Sequence, residues 1–221
     1  MLKSIRAIAV LASGQGSNFE ALAAAAARGE LGATIVMLAS DQAPSPALDR
    51  ARRLGIEAVA LPAGRLRTRL DDEGAWVRAL RERGIDLIVL AGFMRRLHAE
   101  FLDAFPDRVL NIHPSLLPAF PGLDAVGQAL RHGVRVTGCT VHLVTDEVDG
   151  GPILGQAAVD VRDGDTMAAL ETRVHETEHR LYPAMVRRFI TEPWRREGRR
   201  IVFTPDSASG TTRASVASVH A

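Results

Sequence analysis

The sequence predicts an α/β domain, a mostly parallel twisted sheet with helices on both faces. Short apolar runs alternate with longer amphipathic segments along most of the chain, as parallel strands and their crossover helices do. Gly29, Gly55, Gly84 and Gly133 each close such a segment, where a left-handed residue ends a helix. A length of 221 residues at 47% hydrophobic content suits one full core. We therefore expect one catalytic domain over 1–203 and a disordered tail over 204–221, because SASGTTRASVASVHA at the end is small, polar and without period.

Residues 5–12 are a buried apolar strand, followed by a glycine-rich turn and a helix over 18–27. A second strand covers 33–39, a helix 46–54, a short third strand 58–61 and a helix 71–83. The fourth strand is 86–90; then come a short helix over 99–105, a fifth strand over 109–112 and a helix over 123–132. Residues 136–144 alternate as a strand should, and 153–161 can pair with them after the turn at Asp149, Gly150 and Gly151. The last helix runs over 166–190, with a bend expected near Pro183. In open parallel sheets ligands bind where strand ends meet loops. Four distinctive loops, 13–17, 92–97, 111–122 and 145–151, are expected at one sheet edge and suggest one site.

Net charge is +1, with 27 basic and 26 acidic residues, so the footprint that dominates nucleic-acid binding is absent. Cys139 is the single cysteine, which excludes an internal disulfide or a cysteine-rich metal site. No apolar run approaches the roughly 20 residues that span a bilayer, and the N-terminus enters a strand without a signal peptide's layout. The expectation is a soluble, cytoplasmic protein acting on small molecules, with no nucleic-acid or membrane partner, as a monomer or homodimer.

SGQGSN at 13–18 lies after a strand and opens a helix, a place where backbone N–H groups and the helix dipole suit a phosphate. A dinucleotide fingerprint would want a third glycine where Phe19 stands, so a monophosphate fits better. Asp41 after the second strand keeps a nicotinamide site in play; the plainest alternative is a tight turn whose Ser17 or Asn18 caps the helix. HETEH at 175–179 formally matches a zinc-peptidase pattern, but no third ligand is evident and a solvated helical face is the better reading.

NIHPSLLP at 111–118 carries the reactive chemistry. Strand alternation puts Asn111 and His113 on one side, and Pro114 and Pro118 stiffen the loop beyond them. An amide beside an imidazole can stabilise the oxygen of a tetrahedral intermediate. Asp149 is the candidate acid, with Gly150 and Gly151 leaving its carboxylate reachable. Each residue alone also has an ordinary use in a loop, an Asx turn or a hairpin turn.

SGQGSN at 13–18, LAGFMRRL at 90–97, NIHPSLLPAFPG at 111–122, GCTVHLVTDEVDGGPIL at 138–154 and EHRLYP at 178–183 resemble, in order and spacing, the phosphoribosylglycinamide formyltransferase family. The resemblance extends to about residue 203. It implies a Rossmann-like formyltransferase fold and transfer of the formyl group of 10-formyltetrahydrofolate to the amine of glycinamide ribonucleotide, in de novo purine biosynthesis, with no metal. By that resemblance Asn111 and a protonated His113 stabilise the intermediate's oxygen. Asp149 raises the histidine's pKa and helps to move a proton, through water, from the attacking amine to N10. Gly16, Ser17 and Asn18 would take the ribose 5-phosphate, and His175 and Glu178 the glycinamide end. The folate would lie across Met94, Arg95, Arg96 and Leu97, beside Asn111, and against Val144, Thr145, Asp146 and Asp149, with Arg69 towards its glutamate tail.

Departures from the family pattern are Gln15 in place of a more usual Asn, a GLDAVGQ stretch at 122–128 without the histidines of some members, and Cys139 at a small-residue position. Rival readings are a methionyl-tRNA formyltransferase or a formyltetrahydrofolate hydrolase, each expected to carry a further domain, and a non-catalytic phosphate-binding module. The last leaves the meeting of Asn111, His113 and Asp149 without a reason.

Overall fold

A computed structural model describes residues 4–62, 64–66 and 68–204. The expected tail lies outside the described residues apart from Thr204. In chain order the elements are β1 (Ala7–Leu11), α1 (Ser17–Ala27), β2 (Thr34–Ser40), α2 (Pro46–Arg53), β3 (Glu57–Ala60), α3 (Glu73–Glu82), β4 (Leu87–Leu90), α4 (Ala99–Ala104), β5 (Val109–His113), α5 (Ala125–His132), β6 (Val136–Leu143), β7 (Ile153–Asp160), α6 (Met167–Thr191), β8 (Trp194–Glu197) and β9 (Arg200–Phe203).

The strands form one sheet in the order β3-β2-β1-β4-β5-β6-β7-β9-β8. The five from β3 to β5 are parallel. β6 and β7 are antiparallel to their predecessors, and β9 joins β7 in parallel through one pair, Ile153 and Arg200. Alternation sends Ile8 and Val10 to one face, under α1, α2, α5 and α6, and Ala9 and Leu11 to the other, under α3 and α4. Burial on both faces explains why these strands read as continuous apolar runs.

Three helix boundaries differ from the sequence reading for local reasons. Asp72 caps α3 by accepting from the Ala75 amide at 2.8 Å, which moves the start inward. Asp124 adopts a left-handed backbone, φ 56°, so α5 opens only at Ala125. α6 is capped by the Thr166 hydroxyl and runs for 25 residues through Pro183.

The terminal segment after α6, expected only to be charged, is the β8–β9 hairpin. Its arginines hide three apolar anchors: Trp194 stacks on Phe189 with centroids 4.7 Å apart, Ile201 is buried, and Phe203 lies 4.1 Å beneath the Arg188 guanidinium.

The turn between β6 and β7 tolerates no side chain at Gly151, where a Cβ would stand 1.8 Å from the Leu143 carbonyl oxygen. Gly151→Ala is expected to cost about 1–3 kcal/mol or more. Thermal denaturation should show a drop of roughly 2–4 °C for each kcal/mol lost.

Candidate active site

β1, β4 and β5 are neighbours, and their C-terminal ends open onto a cavity of about 630 Å³. It is walled by 13–18, 90–97, 111–114, 122–126 and 144–149, with Met167, Glu171, His175 and Glu178 from α6. All four loops singled out in the sequence reach it. The expectation that they share one sheet edge is corrected for the fourth. β6 runs against β5, so its end is level with Val109, whose carbonyl accepts from the Val144 amide at 2.9 Å. The 144–151 segment must fold back along β5 to bring Asp149 to His113.

The glycine loop presents an open helix terminus. Gly16 is the N-cap of α1 with φ 76°, and no side chain caps that end. The capping alternative for Ser17 or Asn18 therefore fails; Asn18 Nδ2 instead donates to Glu178 Oε2 at 2.8 Å. The carbonyls of Gly14 and Gln15 are taken by the Ala47 amide and Arg50 Nε, at 3.2 and 2.9 Å, so both are turned toward α2. A side chain at Gly16 would meet Ala47 Cβ at 2.9 Å. What remains at the cavity is the positive end of a helix, suited to an anion. Phe19 is fully buried in the core beneath.

Glu178 is buried beside this loop, and that burial pushes its carboxyl above the usual range, against the pull of the Asn18 amide. His175 lines the cavity with it, whereas His179 stands a turn away with its Nε2 buried and unpartnered by protein. Among the described residues no three His, Cys, Asp or Glu side chains converge in a metal-binding group.

The reactive cluster spans β5, β6 and the 144–151 segment. His113 Nε2 lies 2.8 Å from the Phe120 carbonyl and Nδ1 lies 3.4 Å from Asp149 Oδ2. Both ring nitrogens thus face acceptors, a geometry that only the imidazolium satisfies fully. Burial acts the other way and is larger. It holds the His113 pKa below its ordinary value, although Asp149 pulls it up, as the sequence reading expects, and the Phe120 carbonyl does too. Asp149 has φ 52° and accepts from the Gly122 amide at 2.8 Å. Burial would raise its carboxyl; His142, the Gly122 N–H and His113 outweigh that and hold it below the usual range.

Asn111 sits opposite His142 in the β5–β6 ladder, with Nδ2 3.2 Å from His142 Nε2. The other nitrogen of His142, Nδ1, faces the Leu143 carbonyl at 2.8 Å. His142 also approaches Asp149 Oδ1 to 3.6 Å. The sequence reading missed this second imidazole; pairing 136–144 against 109–112 in the right register would have placed it beside Asn111. The SLLP segment is held by Thr140, whose hydroxyl donates to Ser115 O at 2.7 Å and accepts from the Leu117 amide at 3.0 Å.

Met94, Arg95, Arg96 and Leu97 form the opposite wall with Val144, Thr145 and Asp146. Met94 is 58% exposed and Leu97 is buried, an apolar ledge for a planar ring. Arg69 does not line this cavity. It stands in a neighbouring depression with Leu66 and His98, and only its backbone, bridged to Arg96, touches the wall. Asp41, the candidate ribose-binding acid, is fully buried and ion-paired with Arg95 at 2.7 Å, so it is not offered to a nucleotide.

A twisted α/β sheet with an anion-binding helix end and an amide–imidazole–carboxylate cluster in one cavity defines a group-transfer enzyme, and the chain matches the family model described as Formyl transferase over residues 6–186. The chain belongs to the formyl transferase family. It is 39% identical over 186 residues to the phosphoribosylglycinamide formyltransferase of Bacillus subtilis, covering 84% of this chain and 95% of that one. It is 44% identical over 177 residues to the human trifunctional purine biosynthetic protein adenosine-3, covering 80% of this chain and 18% of that protein. Its fold is similar to the crystal structure of glycinamide ribonucleotide transformylase 1 from Symbiobacterium toebii, with a TM-score of 0.86, 45% identity and coverage of 90% and 94%. Enzymes of this family act on small molecules with folate-derived formyl donors.

Proposed function

We propose that this protein transfers the formyl group of 10-formyltetrahydrofolate to the amine of glycinamide ribonucleotide, giving formylglycinamide ribonucleotide and tetrahydrofolate in de novo purine biosynthesis. We place this activity in the cytoplasm, in a catalytic domain spanning 1–203. The observation that carries the reading is the sharing of one cavity by the open end of α1 and the Asn111–His113–Asp149 cluster. The first suits a phosphate and the second a tetrahedral oxyanion, which matches an acceptor phosphorylated at one end and aminated at the other.

The acceptor's phosphate binds at Gly16, Ser17 and Asn18, with His175 and Glu178 beside its glycinamide end. The donor's ring lies against the 94–97 ledge and the 144–149 wall. The amine nitrogen forms a bond to the formyl carbon, and the carbonyl electron pair becomes an oxyanion. Asn111 Nδ2 donates toward that oxygen while His113 supplies positive charge beside it. In the empty site burial keeps His113 neutral, but the oxyanion is a further negative group next to a ring already flanked by two acceptors. It tips the ring toward the imidazolium, so the charge appears in the transition state, where it accelerates the reaction. Asp149 steadies the imidazolium and helps to pass the amine's proton, through water, to N10 as the C–N10 bond breaks.

The test monitors the folate spectrum on mixing the protein with 10-formyltetrahydrofolate and glycinamide ribonucleotide, with and without a chelator. Acceptor-dependent release of tetrahydrofolate that survives chelation is expected. Hydrolysis of the folate without an acceptor requirement, or formylation of methionyl-tRNA, would overturn the assignment of the glycine loop and leave the formyl chemistry standing.

A further inference from the structure

The cavity has two walls whose mutual position is set outside it. Asp41, directly after β2, lies behind both, with its side chain fully buried. Its Oδ2 accepts from Arg95 Nε at 2.7 Å and from Gln42 Nε2 at 2.8 Å. Ser13 opens the glycine loop, and its oxygen accepts from the Met94 amide at 2.9 Å, while its own amide donates to the Gly92 carbonyl at 3.1 Å. Arg95 continues the chain of contacts by donating through Nη1 to the Leu66 carbonyl, and the neighbouring Arg96 amide donates to Thr68 O at 2.8 Å. One carboxylate thus holds the strut that ties the 94–97 ledge to the loop backing it, and the ledge is in turn bonded to the first residue of the glycine loop. Burial would raise its pKa, but Ser13, Arg95 and Gln42 more than compensate, so it stays ionised at neutral pH.

We propose that Asp41 is a positioning residue that fixes the 94–97 ledge, with Arg95 as the strut between Asp41 and the ledge. The guanidinium of Arg95 is therefore engaged by the protein itself, and the ledge offers its ligand the exposed Met94 side chain. The donor-binding part of this inference rests on the function proposed above. Removing the carboxylate leaves a nearly buried cation without its counter-charge. Arg95 then turns to solvent and releases the Leu66 carbonyl, which loosens the ledge on either side of it.

The test compares Asp41→Asn and Asp41→Ala with the wild type by amide hydrogen exchange over 90–97 and by steady-state kinetics. Asparagine keeps the shape and a neutral acceptor for Arg95, so it carries the test if the alanine variant does not fold. Faster exchange at Met94 and Arg96 is expected in both variants. The KM for 10-formyltetrahydrofolate should rise about tenfold, as small misplacements of a binding wall do, with kcat within about threefold. Adding Arg95→Gln to Asp41→Asn should change little more, because the two act as one unit. Unchanged exchange at 90–97, or a fall in kcat at constant donor KM, would overturn the proposal. If the wild type itself transfers no formyl group, the functional reading fails while the exchange comparison still decides the role of Asp41.

Discussion

His113→Ala is expected to fold and to bind both ligands nearly as the wild type does, and to lose about 10²–10⁴ in kcat, the range of a general acid–base group combined with an oxyanion stabiliser. The ring is buried, and its two nitrogens contact a backbone carbonyl and Asp149. Alanine leaves those acceptors in place but removes the only charge that can form between them. Asn111 and the binding contacts remain, so residual transfer above the uncatalysed rate should persist. Because the charge is needed chiefly in the transition state, the loss should fall on kcat, with the KM values within a few-fold. Steady-state kinetics with both substrates varied, beside a thermal unfolding curve, checks this; a rise in KM with kcat intact would mean that His113 only holds a ligand.

Asp149→Asn should lower kcat by about 10²–10³ and also change how stability depends on pH. The Asp149 carboxyl is held below its ordinary value in the fold, so its contribution is present above the unfolded carboxylate pKa, about 3.9, and is lost as pH falls through the lower folded value. His113 is also held low, so below about pH 6.5 the unfolded chain takes up a proton that the folded chain refuses. Both groups make the wild type less stable on acidification. The variant keeps the histidine part, with the upward pull of Asp149 gone, and loses the carboxylate part. Urea unfolding at a series of pH values should therefore show a gap between wild type and variant at neutral pH that narrows below about pH 4. A constant gap would mean that the carboxylate is not ionised in the folded protein.

Much of the architecture was readable because burial on both faces of a parallel sheet writes itself as apolar runs, and because glycines close the helices. Asn111 and His113 were readable for a related reason, since a strand's period of two fixes which side chains emerge together. What escaped depends on partners distant in sequence. His142 becomes visible only once β5 and β6 are paired in register. The Asp41–Arg95 pair joins residues 54 positions apart. The β8–β9 hairpin is masked because arginines surround its three apolar anchors in the sequence, so composition reports the charge and hides the packing. The arrival of Asp149 from the far end of β6 could not be read either, because strand direction after β5 is a matter of topology.

That reversal of β6 shapes how two substrates can meet. The glycine loop and the 92–97 ledge come from one end of the sheet, and the 144–149 wall comes from the other. The cavity therefore takes its lining from both ends of the sheet. In the proposed reaction the two ligands can lie end to end along it and reach it by separate approaches. The formyl carbon then passes from one nitrogen to the other within a single ternary encounter, without a stopover as a covalent adduct on the protein.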